Sequence, residues 1–251
     1  MTLEEFFEEH PKIALAFSGG VDSSYLLYAA SRCGADVAAY YVKSQFQPEF
    51  ELRDATELAN KLGVRMRLIE QNIVSCAEVT ANPPDRCYYC KKHIMGAIRE
   101  RSRADGYALI IDGTNASDDI SDRPGYKALG EEGILSPLRI CGLTKAEIRR
   151  LSHEAGLPTW DKPAYACLAT RIASGEQITA EKLRAVEQSE DYLFSLGFTD
   201  FRVRVRGNGA LLQFTAGQTE RAHERFPEIE KKLAEYFDSV TIDPKVREKS
   251  V

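Results

Sequence analysis

Two groups of residues in this 251-residue chain have types and spacings suited to reaction chemistry. The first is Ser18, Gly19, Gly20, Val21, Asp22 and Ser23, which follows the apolar KIALAF and opens the amphipathic VDSSYLLYAASR. Adjacent glycines let backbone N–H groups approach an anion, the serines add hydroxyl donors, and a helix starting here adds partial positive charge. A pyrophosphate, as in ATP, suits such a loop. Asp22 fits beside it by orienting the loop amides or by holding a Mg²⁺ that bridges the phosphates. The run lacks the Gly-Lys-Ser/Thr ending of a Walker A loop, so cleavage between the α and β phosphates, hence adenylation, is expected rather than γ-phosphate transfer. The plain alternative is a Ser/Gly turn that caps a helix. Against it stands DGTNASDD, where Asp112, Gly113, Thr114 and Asn115 would end a second parallel strand on the same rim. Asp118 and Asp119 could reach the metal there, or Asp118 could cap a turn.

The second group is Cys87 and Cys90, at C-x-x-C spacing in NPPDRCYYCKKHI, with Cys167 far downstream in WDKPAYACLATRI. The pair is expected on a Pro-introduced turn that opens a helix from about Lys91 to Ala104. Structural zinc closes its shell with four ligands, whereas three thiolates on a [4Fe–4S] cluster leave one iron open to a ligand such as sulfide. Two other readings stay open: zinc completed by His93 or Cys76, and a redox Cys87–Cys90 disulfide. Cys33, Cys76 and Cys141 read as packed thiols. Near Cys167, Arg171 and Lys162 could hold phosphate or form surface ion pairs, and Trp160 reads as packing. In FRVRVR, alternation sends Val203 and Val205 to one face and Arg202, Arg204 and Arg206 to the other. That cationic row could hold a substrate phosphate, or be a solvated face paired with Glu190 or Asp191.

The elements that must position these groups alternate. KIALAFS, DVAAYYVKS, RMRLIEQN and YALIIDGTN read as strands separated by helices, which implies an α/β fold with a parallel sheet and helices on both faces. LTKAEIRRLSHEAG reads as a helix with a Thr144/Glu147 capping box that ends at Gly156. After Ser174 the order becomes helix, strand, strand, one helix through ERAHERFPEIEKKLAEYFD, and a short strand. An adenylation domain over 1–173 and a small α+β domain over 174–251 are expected. The 33 Lys and Arg against 38 Asp and Glu give a net charge of -5, which disfavours a nucleic-acid partner. No apolar run is long enough to span a membrane and no leader pattern opens the chain, so a cytoplasmic protein is expected.

SGGVDS in this setting resembles the PP-loop superfamily of GMP, NAD and asparagine synthetases and tRNA thiolation enzymes. With GTNASD, PPDRCYYCK, SPLR, LTKAEIR and WDKPAYACLATRI in this order, the whole chain resembles the LarE family of sulfur-insertion enzymes in nickel-pincer nucleotide synthesis. The resemblance implies adenylation of a carboxylate of pyridinium-3,5-biscarboxylate mononucleotide with MgATP, then replacement of AMP by sulfur, twice. It also implies a homo-oligomer. Of the family's two sulfur strategies, sacrifice of the cysteine matching Cys167 and a three-cysteine cluster, Cys87 and Cys90 imply the second. A tRNA thiolase, an ATP-gated cluster-binding protein without catalysis, and an ammonia-using synthetase are the competing functions.

Overall fold

The computed structural model describes residues 1–120 and 124–248. The chain gathers into two compact units, Met1–Ile73 with Asp85–Lys162, and Val74–Pro84 with Pro163–Val251.

The first unit runs α1 (Leu3–Glu9), β1 (Lys12–Ala16), α2 (Val21–Arg32), β2 (Asp36–Lys43), α3 (Glu49–Lys61) and β3 (Met66–Glu70). After α4 (Ala77–Thr80), which belongs to the second unit, it continues with α5 (Arg86–Ala104), β4 (Leu109–Ile111), α6 (Pro124–Glu131), α7 (Pro137–Ile140) and α8 (Lys145–Glu154). Its strands form one parallel sheet in the order β3-β2-β1-β4. Parallel strands need crossover helices, and those helices cover both faces, so the two inner strands, β2 and β1, are apolar on both sides, whereas the edge strand β3 is part-exposed. Ile13, Leu15, Ala39 and Tyr41 pack with residues of α1, α2, α3 and α8, including Phe6, Leu26, Leu58 and Ile148. Their strand neighbours Ala14, Ala38, Tyr40 and Val42 face the other way, with Met95 and Ile98 of α5 and Leu129 of α6. The expected α/β architecture is the one observed.

The second unit adds α9 (Ala180–Ser195), β5 (Arg202–Arg206), β6 (Gly209–Gln213), α10 (Ala216–Glu224), α11 (Phe226–Leu233) and β7 (Ser239–Ile242). β6 pairs antiparallel with β5 and parallel with β7. Phe198, Phe201 and Phe214 cluster in its core.

Three details differ from expectation. The units divide after Lys162 rather than after Ala173, and residues 74–84 join the second unit. The reason is hydrogen bonding: the Asn82 side chain donates to the Ala173 carbonyl at 2.7 Å, Gly175 N–H donates to the Asn82 carbonyl at 2.8 Å, and Ile178 N–H to the Thr80 carbonyl at 2.8 Å. α5 starts at Arg86, so Cys87 and Cys90 lie within the helix and not on a turn before it. The single C-terminal helix breaks at Arg225, because Pro227 lacks the N–H a continuous helix needs and its ring crowds the preceding turn. Among the described residues no helix is long and apolar enough to cross a membrane.

Candidate active site

β1 has β2 on one side and β4 on the other, so the chain reverses its winding direction at the β1/β4 pair. In open parallel sheets this switch point, at the carboxyl ends of the strands, is where the crevice for a ligand opens. Leu15 is in register with Ile111, so the loops after β1 and β4 leave the sheet side by side.

The first of these loops is SGGVDSS. Gly19 has φ +72, and a Cβ there would lie 2.9 Å from Ala55 Cβ on α3, so both conformation and space require glycine. Gly20 is the N-cap of α2 and supplies no side-chain cap. The serines organise the loop itself: Ser18 N–H donates to Ser23 Oγ at 3.3 Å, the two hydroxyls lie 3.1 Å apart, and Gly20 N–H donates to Ser18 Oγ at 3.4 Å. α2 thus starts from a preformed loop, and its first-turn amides, which a helix leaves without intrahelical acceptors, are the groups an anion would meet there.

The second loop is braced just as closely. Asp112 is buried and accepts from Ser136 Oγ at 2.7 Å, Thr114 Oγ1 at 2.7 Å and Thr114 N–H at 3.2 Å. A Cβ on Gly113 would stand 3.0 Å from the Ser23 backbone nitrogen, so glycine lets this loop lie against the start of α2. Asn115, also buried, accepts from Ser117 N–H at 2.8 Å, and its own N–H donates to the Asp118 carboxylate at 3.0 Å. Asp118 therefore does cap a turn.

Asp22 carries the site's main charge contact. Its Oδ2 accepts from Lys145 Nζ at 2.6 Å, while Oδ1 is buried with no hydrogen-bond partner among the described residues. Burial raises the Asp22 pKa; the hydrogen bond and charge of Lys145 pull it back, Asp118 adds to the rise and Arg149 opposes it. A buried carboxylate oxygen without a donor is the kind of group a Mg²⁺ needs, since Mg²⁺ binds through one or two carboxylates plus phosphates and waters.

Lys145 and Arg139 are what sequence reasoning missed. Arg139 donates to the carbonyls of Asn115 at 3.2 Å and Asp118 at 2.9 Å, which fixes the second loop. Both residues stand in segments, SPLR and LTKAEIR, that carry the family resemblance, and that was the available signal.

The cysteines are all thiols. Cys87 and Cys90 lie three apart near the start of α5, hence on one face, with Cys87 exposed and Cys90 half-buried. Cys167 caps a 3₁₀ turn over Leu168–Arg171 in the second unit. Among the described residues no three His, Cys, Asp or Glu side chains gather closely enough to hold a metal ion. The donor types, three thiolates, suit iron and sulfide. Cys33, expected to be packed, is exposed at the C-cap of α2, and Cys76 and Cys141 are half-buried.

Around Cys167 the second unit is rigidly wired. Arg171, 1% exposed, makes a bidentate pair with Glu190, Nε to Oε1 at 2.7 Å and Nη2 to Oε2 at 3.1 Å, so its ion pair is buried rather than superficial. Its Nη1 donates to the Ala166 carbonyl beside Cys167 at 3.1 Å. Arg202 is buried and donates to the Ala164 carbonyl at 2.8 Å; Arg204 donates to the Thr170 carbonyl at 2.6 Å and to Gln213 at 3.0 Å. Of the row, Arg206 is exposed. Lys162 pairs with Asp54 at 2.6 Å, and Trp160, half-exposed, sets its ring edge against His153.

No family model matches the chain. A parallel sheet whose switch-point strand turns through SGGVDSS into a helix, with no Walker lysine, defines an ATP-using enzyme of the PP-loop class. The chain is 39% identical over 221 residues to an uncharacterized protein of Synechocystis, spanning 87% of this chain and 82% of the relative. It is 32% identical over 214 residues to the pyridinium-3,5-bisthiocarboxylic acid mononucleotide synthase of Lactiplantibacillus plantarum, spanning 84% and 78%. The chain belongs to that synthase family, LarE. A more distant likeness, 26% over 189 residues, links it to a tRNA-specific 2-thiouridylase of Thermotoga, over 58% of this chain and 52% of the relative. These relationships support ATP-dependent sulfur transfer as the class of chemistry.

Proposed function

We propose that this chain adenylates a carboxylate of pyridinium-3,5-biscarboxylate mononucleotide and replaces the AMP with sulfur, giving the thiocarboxylate precursor of a nickel-pincer nucleotide. The observation that carries the reading is the SGGVDSS loop at the switch point, with an Asp22 oxygen that no described residue hydrogen-bonds, in a chain 32% identical to a synthase of that product.

In the first step a substrate carboxylate oxygen attacks the α-phosphorus of ATP. The bond from that phosphorus to the α,β-bridging oxygen breaks, and pyrophosphate leaves with the electron pair. Gly19, Gly20, Ser18 and Ser23 present the loop and the α2 amides to the leaving phosphates, and Asp22 is the residue that would hold Mg²⁺. Gly113, Thr114 and Asn115 wall the nucleotide on the β4 side. In the second step a sulfur nucleophile attacks the acyl carbon and the bond to AMP breaks, so AMP carries away the electron pair.

The sulfur is handled by Cys87, Cys90 and Cys167. A [4Fe–4S] cluster bound by these three thiolates would supply sulfide bound at an open iron. Without one, the Cys167 thiolate itself could attack, forming a thioester; loss of its Cα proton would then cleave the Cβ–S bond and leave dehydroalanine. Arg202 and Arg204, or Arg206 beside them, are the candidates for the substrate phosphate, Arg171 holds the Cys167 segment, and a homo-oligomer is the expected assembly.

Pyrophosphate release that requires both ATP and the pyridinium mononucleotide tests the function, and Asp22→Ala should abolish it with the fold retained. Release stimulated by tRNA instead would replace this reading with a thiolase. Iron and sulfide analysis of anaerobically prepared protein tests the sulfur source: iron lost in Cys87→Ala supports the cluster, whereas iron-free active enzyme whose mass falls by one H₂S per turnover assigns the sulfur to Cys167.

A further inference from the structure

The parallel sheet of the first unit has two edges, and they differ. On the β4 side the chain covers its own edge: Leu135 N–H donates to the Ile110 carbonyl at 3.2 Å and Asp112 N–H to the Leu135 carbonyl at 2.9 Å. On the other side β3 (Met66–Glu70) pairs only with β2 among the described residues. That ladder runs from Ala39 N–H on the Arg65 carbonyl to Gln71 N–H on the Lys43 carbonyl, each at 2.9 Å, with Tyr41 in register with Leu68. Backbone groups alternate along a parallel strand, so Arg65, Arg67, Ile69 and Gln71 turn theirs toward β2, and Met66, Leu68 and Glu70 turn theirs outward. No described residue hydrogen-bonds those outward groups. The usual protections of an edge are missing as well. β3 has no proline or lysine, Arg67 is drawn back onto Asp105 at 3.1 Å, and the central residue, Leu68, is 48% exposed.

We propose that β3 is the seam between two copies of this chain, joined antiparallel about a two-fold axis at Leu68 into one continuous sheet. In that register Leu68 pairs with the partner's Leu68, and Met66 with the partner's Glu70. Each such pair exchanges both of its outward hydrogen bonds, so none of those groups is left bare. The side chains agree with this register. Leu68 meets its own copy across the axis, which buries an exposed apolar side chain at the centre of the seam. Charge is uneven along the strand, with Arg65 just before it and Glu70 at its end, both exposed. Antiparallel pairing brings Arg65 close to the partner's Glu70, whereas parallel pairing would set like charges side by side. A second copy is therefore the occupant that fits, since the same strand supplies both halves of a self-complementary contact. β2 stands between β3 and the β1/β4 switch point, so the seam leaves the crevice of each copy open.

Register makes the test specific. Opposed residues of a hydrogen-bonded antiparallel pair have Cα atoms about 5.5 Å apart, within the roughly 4.4–6.8 Å that a disulfide spans. Leu68→Cys should therefore cross-link to its own copy under copper–phenanthroline. Glu70→Cys, more than about 13 Å from its counterpart in this register, should cross-link no faster than wild type. Light scattering on the full wild-type chain should show a dimer or a multiple of one. Leu68→Pro deletes an N–H that the ladder with β2 does not use, and should raise the dimer dissociation constant about tenfold or more with far-ultraviolet circular dichroism unchanged. Leu68→Lys keeps every backbone group and should also weaken the dimer, by setting two ammonium groups opposite one another; it decides the matter if the proline variant does not fold. A wild-type chain that is monomeric at every concentration leaves the edge to another protein or to water and overturns the proposal. So does an assembly unaffected by both Leu68→Pro and Leu68→Lys, or equal cross-linking of Leu68→Cys and Glu70→Cys, either of which puts the seam elsewhere.

Discussion

Arg171→Met should destabilise the second unit more than any surface substitution, and the size of the loss follows from what it strands. Glu190 receives both ends of the Arg171 guanidinium, the Val203 N–H at 2.9 Å and the Tyr165 hydroxyl, and the ion pair is 1% and 2% exposed. Removing Arg171 leaves a buried carboxylate without its bidentate counter-ion, a loss of about 3–5 kcal/mol. The double variant Arg171→Met/Glu190→Leu removes both charges. The groups that then lose a hydrogen bond to the pair, among them Val203 N–H and the Ala166 carbonyl, are neutral, so a smaller loss of about 1–3 kcal/mol is expected. Urea unfolding followed by far-ultraviolet circular dichroism measures both. A single variant within about 1 kcal/mol of wild type, or a double variant worse than the single, would refute the view that this buried pair holds the Cys167 segment.

Gly19→Ala should lower stability by about 1–2 kcal/mol from the positive φ alone, with a further cost from the contact with Ala55, and should weaken ATP binding in calorimetry. Gly113→Ala, whose Cβ would press on the Ser23 backbone nitrogen, should weaken ATP binding with a smaller effect on unfolding; unchanged affinity would count against close loop packing as the role of Gly113. Burial chiefly, and then the Asp105 carboxylate, holds the Tyr40 phenol far above its ordinary pKa of 10.0; burial and then Glu51 do the same for Tyr41. A phenol whose folded pKa is raised contributes stability that is intact below the unfolded pKa and lost as pH rises above it. Stability should therefore fall progressively above about pH 10, and Tyr40→Phe with Tyr41→Phe should flatten that fall in urea titrations across alkaline pH.

The alternation of apolar strands with amphipathic helices, the serine–glycine turn from the first strand into a helix and the capping box at Thr144 were all legible in the residue order. Each depends on contacts between residues a few positions apart, or on a periodicity that a window of sequence displays. The start of α5 and the break at Arg225 are local too, yet they turn on backbone details around Pro84 and Pro227 that periodicity blurs.

What only the tertiary structure decided are the pairings between distant residues. Lys145 reaches Asp22 across 123 positions, Arg139 reaches Asn115 and Asp118, and Glu190 takes Arg171 while the FRVRVR arginines Arg202 and Arg204 spend donors on backbone carbonyls. The residue types alone leave each of these cations several possible anions. Which one it meets depends on how the parallel sheet aligns its loops and on which carbonyls burial leaves in need of a donor. Sequence therefore determined the scaffold and the kind of chemistry at its rim, and the fold determined which charges face one another there.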